Sequence, residues 1–192
     1  PKSQLERGVI TASAGNHAQG VALSGQKLGI RAIIVMPKTT PDIKVQAVKR
    51  LGGDVVLHGD SFDVANKYAI QRANDEGLTF IPPYDDELVM AGQGTIANEI
   101  LRQWRDVEYV FVAVGGGGLI AGVAAYLGDV APHVKVIPVE YDESACLKAA
   151  FEANQRVILP SVGLFADGTA VAQIGEKPFE VIKKKKSDNS GP

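Results

Sequence analysis

Apolar and polar positions alternate between two rhythms along this chain. Short apolar runs at Val9–Ala12, Ala32–Met36, Val55–Leu57 and Thr79–Ile81 have strand length. Between them lie stretches with helical spacing. Ala18 to Leu28 ends at Gly29, a helix expected to have Asp42 as its N-cap runs through Leu51 and ends at Gly52-Gly53, and a long amphipathic segment opens at Asp60 or Ser61 and ends at Gly77. Pro1–Arg7 is polar and predicts no strand. Short connections between alternating strands and helices predict a parallel sheet in an α/β fold.

Pro82-Pro83-Tyr84-Asp85-Asp86 then breaks the pattern and suggests a crossing between lobes. Leu88 to Trp104 is helical, interrupted at Gly92 and Gly94. Val110 to Val114 predicts a buried strand, followed by Gly115 to Gly118 and a helix from Leu119 to about Leu127. Lys135–Glu140 predicts another parallel strand and Ser144–Ala153 a helix, while 157–169 is loop-like. The expected organisation is a small lobe over 8–78, part of a large lobe over 79–182, and a disordered tail over 183–192, where four lysines run into a polar end.

Two loops stand out as chemistry. Gly115-Gly116-Gly117-Gly118 lies between a strand and a helix start, where bare backbone amides and the positive helix end suit a phosphate. No Gly-Lys-Ser/Thr follows, and Ile120 stands where a dinucleotide fingerprint needs its third glycine, so a monophosphate ester fits better. Ser13-Ala14-Gly15-Asn16-His17 also joins a strand to a helix. Its amides and Ser13 suit a carboxylate, although Ser13 or Asn16 could equally cap the helix.

Composition narrows the partners. The chain has 192 residues, 45% of them hydrophobic, and a net charge of −2. That size supports one large or two small domains, and the charge gives no case for nucleic acid or an anionic membrane. No apolar run has transmembrane length and no signal peptide is evident, so the expected location is cytoplasmic. The single Cys146 between Ala145 and Leu147 suggests a small buried residue. His58 suits a structural strand-end role, Asp167 before Gly168 suits a turn, and the Asp85-Asp86-Glu87 cluster suits a helix cap. No spacing of His, Cys and carboxylates predicts a metal.

Thr11-Ala-Ser-Ala-Gly-Asn-His-Ala-Gln-Gly20 together with Val114-Gly-Gly-Gly-Gly-Leu119 resembles the serine/threonine dehydratases, pyridoxal-phosphate enzymes of fold type II. Asp42-Ile-Lys-Val45, Ala91-Gly-Gln-Gly-Thr95, the segment 142–150 and Gly163-Leu-Phe-Ala-Asp-Gly168 extend the resemblance over about 8–180, and point to the threonine-specific biosynthetic branch. It implies a two-lobed α/β fold and the deamination of L-threonine, or L-serine, with L-threonine giving 2-oxobutanoate and ammonia on the way to isoleucine. It implies pyridoxal 5'-phosphate as cofactor and a homo-oligomeric parent enzyme. Gly115, Gly116, Gly117, Gly118 and Leu119 would hold the cofactor phosphate and Asn16 its ring hydroxyl. Ser13, Gly15 and His17 would help hold the substrate carboxylate. Racemizing relatives carry a second serine directly after the position of Ser13; here Ala14 stands there, which favours dehydration.

The family's Schiff-base lysine lies in Ser-x-Lys-x-Arg-Gly-Ala upstream of the Asn16 loop. Lys2 in Pro-Lys-Ser-Gln-Leu does not match it, so no catalytic lysine is assigned in this chain. A later Ser-Gly motif and a carboxy-terminal regulatory domain are missing as well. The expectation is an incomplete member of the family, inactive alone, or else a non-catalytic ligand-binding or interaction fragment.

Overall fold

The computed structural model describes residues 2–163 and 165–188. The chain forms two compact units, Pro1–Pro83 and Tyr84–Pro192. The division falls later than residue 78 because strand β4 (Thr79–Phe80) pairs with β1 (Val9–Ala12) and so belongs to the first unit.

The first unit is a parallel four-stranded sheet of order β3-β2-β1-β4, with β2 at Ala32–Met36 and β3 at Asp54–Leu57. Helices cover both faces. Every residue of β2 is buried, and its alternation divides the core in two. Ile33 and Val35, with Ile10 and Ala12, pack on Ala65, Ala69 and Ala73 of α4 (Phe62–Glu76). Ile34 and Met36 pack on Ala18 and Ala22 of α2 (Asn16–Leu28) and on Val45 and Val48 of α3 (Asp42–Arg50). Alanines four apart place the α4 backbone close to the sheet. Ser61 caps α4, accepting from the Val64 amide. Asp42 is not the cap of α3; Pro41 takes that place and Asp42 opens the first turn, where an acid meets the helix dipole favourably. The polar amino terminus forms a short helix, α1 (Lys2–Arg7).

In the second unit α6 (Gly118–Val130) packs on β5 (Tyr109–Ala113) and β6 (Lys135–Val139), which are parallel, and α5 (Glu87–Gln103) packs on α6. Two expectations change. Helix α5 is continuous, because Gly94 lies against Gly122 of α6 and lets the two backbones approach. Strand β5 is not buried throughout: Val112 is buried, but Phe111 is 69% exposed and Tyr109 49%. The sheet has two strands, and helices pack on the Val112 side.

A 3-10 turn (Asp142–Ser144) precedes α7 (Cys146–Glu152), so the expected helix from Ser144 starts later. The expected disordered tail also changes. Helix α8 (Glu176–Asp188) runs through Lys183, because Phe179 and Ile182 join the core and Lys185 pairs with Asp129 at 2.6 Å. Residues 189–192 of that expected tail lie outside the described residues.

Candidate functional site

In the second unit the chain leaves β5 through Val114, whose amide bonds the Val139 carbonyl at 2.9 Å, and enters the glycine loop. Gly117 takes the left-handed conformation, φ 91°, and is the N-cap of α6 without any side-chain cap. The first helical hydrogen bond runs from the Ala121 amide to the Gly117 carbonyl at 2.9 Å. The amides of Gly116, Gly117, Gly118, Leu119 and Ile120 therefore have no acceptor among the described residues. Gly116, Gly117, Gly118 and Ile120 are buried.

The other long-loop helix starts of this unit are already occupied. Asp86 accepts from the Leu88 and Val89 amides of α5 at 2.8 and 3.1 Å. Glu140 accepts from Leu147 and Lys148 of α7 at 2.8 and 2.9 Å. Asp85 accepts from Glu176 and Lys177 of α8 at 3.0 and 2.9 Å. Three helices thus begin on a protein carboxylate, while α6 begins on bare amides. Buried donors without partners are costly, and an anion bound there would satisfy them.

The loop is held from several sides. Tyr84 covers Gly116 and Gly118, Ile174 and Pro178 lie against Gly117, and the Thr169 backbone lies against Gly115. The Gly175 amide donates to the Gly116 carbonyl at 3.0 Å, and the Cys146 thiol to the Gly115 carbonyl at 3.4 Å. Cys146 is buried, and burial pushes its thiol up to about 11, with the Glu140 carboxylate adding to the rise.

In the first unit β1 gives way to Ser13, whose amide bonds the Val35 carbonyl at 3.1 Å. The Ser13 hydroxyl accepts from the Gly15 amide at 3.2 Å. Gly15 is the N-cap of α2, again with no side-chain cap, so neither Ser13 nor Asn16 caps the helix. Asn16 is exposed and opens the first turn. His17 is half-buried, its Nε2 lying 2.9 Å from Thr11 Oγ1 and 3.3 Å from the Ile81 carbonyl. Burial lowers the His17 pKa from its ordinary value, and the bond to Ile81 opposes that only in part.

Ser13, Gly15, Asn16 and His17 thus share one loop, and Gly115 to Leu119 share another. Thr11, Ile81 and Tyr84 escaped sequence reasoning. A threonine inside the apolar run Val9–Ala12 was a signal for the first of these; nothing local marks the others. His58 stacks on Tyr68 with ring centroids 4.0 Å apart. Asp167 opens a 3-10 turn. Among the described residues no group of three or more His, Cys, Asp or Glu could hold a metal, and no helix is long and apolar enough to cross a membrane.

A parallel α/β chain with bare helix starts at two strand ends is of the class that binds anionic small molecules outside the carboxyl ends of its strands. The family model for pyridoxal-phosphate dependent enzymes matches residues 2–189, and the chain belongs to that family. The bare amides from Gly116 to Ile120 fit the cofactor's phosphate. The threonine dehydratase of Nicotiana attenuata is 60% identical over 182 residues, covering 95% of this chain and 30% of that protein. The biosynthetic L-threonine dehydratase IlvA of Escherichia coli is 54% identical over 183 residues, covering 95% and 36%. The processed form of threonine deaminase isoform 2 from Solanum lycopersicum superposes with a TM-score of 0.91 at 52% identity, covering 96% of this chain and 54% of that one. The chain spans about a third of the length of these curated relatives.

Proposed function

We propose that this chain carries the phosphate loop and substrate loop of a pyridoxal-phosphate-dependent L-threonine dehydratase, which releases 2-oxobutanoate and ammonia and serves isoleucine synthesis. The observation that carries the reading is the α6 start, where the amides of Gly116 to Ile120 have no acceptor among the described residues while the neighbouring helices begin on carboxylates. Identity of 54–60% to threonine dehydratases supports the choice of reaction.

In this reading Gly115 to Gly118 and Leu119 hold the cofactor phosphate, and Asn16 meets the ring hydroxyl. Ser13, Gly15 and His17 form the substrate end. The bound cofactor supplies an electron sink for the amino-acid Cα. The protein's part is orientation and a fixed positive field from two helix starts. The substrate is L-threonine or L-serine, the working compartment is the cytoplasm, and the parent enzyme is a homo-oligomer.

Both loops are present, but none of the chain's lysines stands in the Ser-x-Lys-x-Arg-Gly-Ala setting. That favours a second statement: the chain alone binds the cofactor without turning substrate over. Two measurements test the proposal. The protein carrying the chain should form 2-oxobutanoate from L-threonine with pyridoxal phosphate present. The isolated chain should bind pyridoxal phosphate in competition with inorganic phosphate and form no 2-oxobutanoate. Binding indifferent to inorganic phosphate would remove the phosphate loop from the site, and turnover by the isolated chain would overturn the second statement.

A further inference from the structure

His17 Nε2 lies near two oxygens, Thr11 Oγ1 at 2.9 Å and the Ile81 carbonyl at 3.3 Å. Thr11 Oγ1 itself lies 2.8 Å from the Ile81 carbonyl and donates to it. A carbonyl can only accept, so the one threonine proton is committed there, and the hydroxyl is left with lone pairs toward His17. A bare Nε2 would put its lone pair against the carbonyl and compete for the same hydroxyl proton. An Nε2–H satisfies all three groups. Thr11 is fully buried, so an unmade bond here would carry its full desolvation cost.

We propose that Thr11 and the Ile81 carbonyl hold His17 as the Nε2–H tautomer, leaving Nδ1 as an acceptor for a hydrogen-bond donor of the bound amino acid. Nδ1 has no partner among the described residues and is not a buried unsatisfied atom. Burial disfavours the imidazolium, so Nδ1 keeps its lone pair. A ring in this state cannot donate from Nδ1 to a carboxylate. That task stays with Ser13, Gly15 and the α2 amides, while His17 meets the β-hydroxyl or the α-ammonium. Thr11 is then a positioning residue. The ligand half of this inference rests on the amino-acid substrate proposed above; the tautomer does not.

Nitrogen NMR of [15N]histidine-labelled protein decides the matter. The chain has three histidines, and the His17 signals are those lost in His17→Gln. The expected pattern at neutral pH is a proton-bearing, pyrrole-type Nε2 and a pyridine-type Nδ1. In Thr11→Val the nearest acceptor is gone, and exchange of the Nε2 proton with water should quicken on the order of tenfold, the loss of about one neutral hydrogen bond. Thr11→Ser should restore it. A pyridine-type Nε2 in the unsubstituted protein overturns the proposal, as does unchanged exchange in Thr11→Val; if that variant does not fold, the unsubstituted protein and Thr11→Ser still decide. With pyridoxal phosphate loaded, L-threonine should shift Nδ1 while leaving it unprotonated. A shift also produced by L-2-aminobutyrate assigns the ammonium; one confined to L-threonine assigns the hydroxyl. A doubly protonated ring in the L-threonine complex, or an Nδ1 unmoved during turnover, overturns the ligand assignment. Failure of the protein carrying the chain to form 2-oxobutanoate would instead count against the proposed function and leave the tautomer standing.

Discussion

The Tyr84 ring fills the side of Gly116 from which a Cβ would project, so packing helps set the loop's shape. Gly116→Ala should cost about 1–3 kcal/mol in denaturant unfolding, the usual penalty of overpacking. In a Tyr84→Ala background the same substitution should cost clearly less, because the obstructing ring is gone. Strictly additive effects would show that Tyr84 does not set the requirement for glycine.

Cys146 should behave as an inert thiol. It is buried, and its thiol is pushed up to about 11, so at pH 8 only about one molecule in a thousand carries the thiolate. A thiol-reactive dye should label native protein very slowly and denatured protein at an ordinary rate. Rapid labelling of the native state would contradict the burial.

Acid should weaken the first unit through His17. Its folded pKa lies below the ordinary value, so the unfolded chain binds the proton more readily. The stability tied to the neutral ring is fully present above the ordinary imidazole pKa. It declines as pH falls below that value and stops declining below the folded pKa. Unfolding free energies across this range should show the slope, and His17→Gln should remove this residue's share of it.

Asp86 accepts from two amides in the first turn of α5. Asp86→Ala should cost about 1 kcal/mol in unfolding free energy, and Asp86→Asn should recover most of it, since both side chains cap well. Equal losses in the two variants would point to the charge rather than the cap.

Ala14 sits between Ser13 and Gly15 and offers no proton-transferring group. In the proposed dehydratase, Ala14→Ser should bring measurable racemisation of L-serine, read by chiral chromatography, while dehydration persists. A variant that dehydrates normally without racemising would remove this position from the distinction between the two reactions.

Strand–helix alternation and both strand-to-helix loops were legible in the sequence because their signals are local. Apolar runs such as Ala32–Met36, capping residues such as Ser61 and Gly77, and four adjacent glycines act within a few residues of themselves. The exposed face of β5 was not legible, because Val110–Val114 has the composition of a buried strand, while exposure depends on how many layers cover it. The lysine run misled for a related reason. Its charge suggests disorder, but Phe179 and Ile182 dock the helix that carries it.

The sequence by itself determined the parallel α/β class, the positions of Ser13–His17 and Gly115–Leu119 at strand ends, and the resemblance to pyridoxal-phosphate enzymes. Only the tertiary structure decided which helix starts remain bare, that Tyr84 closes over the glycines, and that Thr11 and Ile81 meet His17. Asp85 reaches amides 91 and 92 positions away, and His17 meets a carbonyl 64 positions away. Hydrogen bonds and van der Waals contacts act over a few ångströms in space and leave no periodic trace at such separations along the chain.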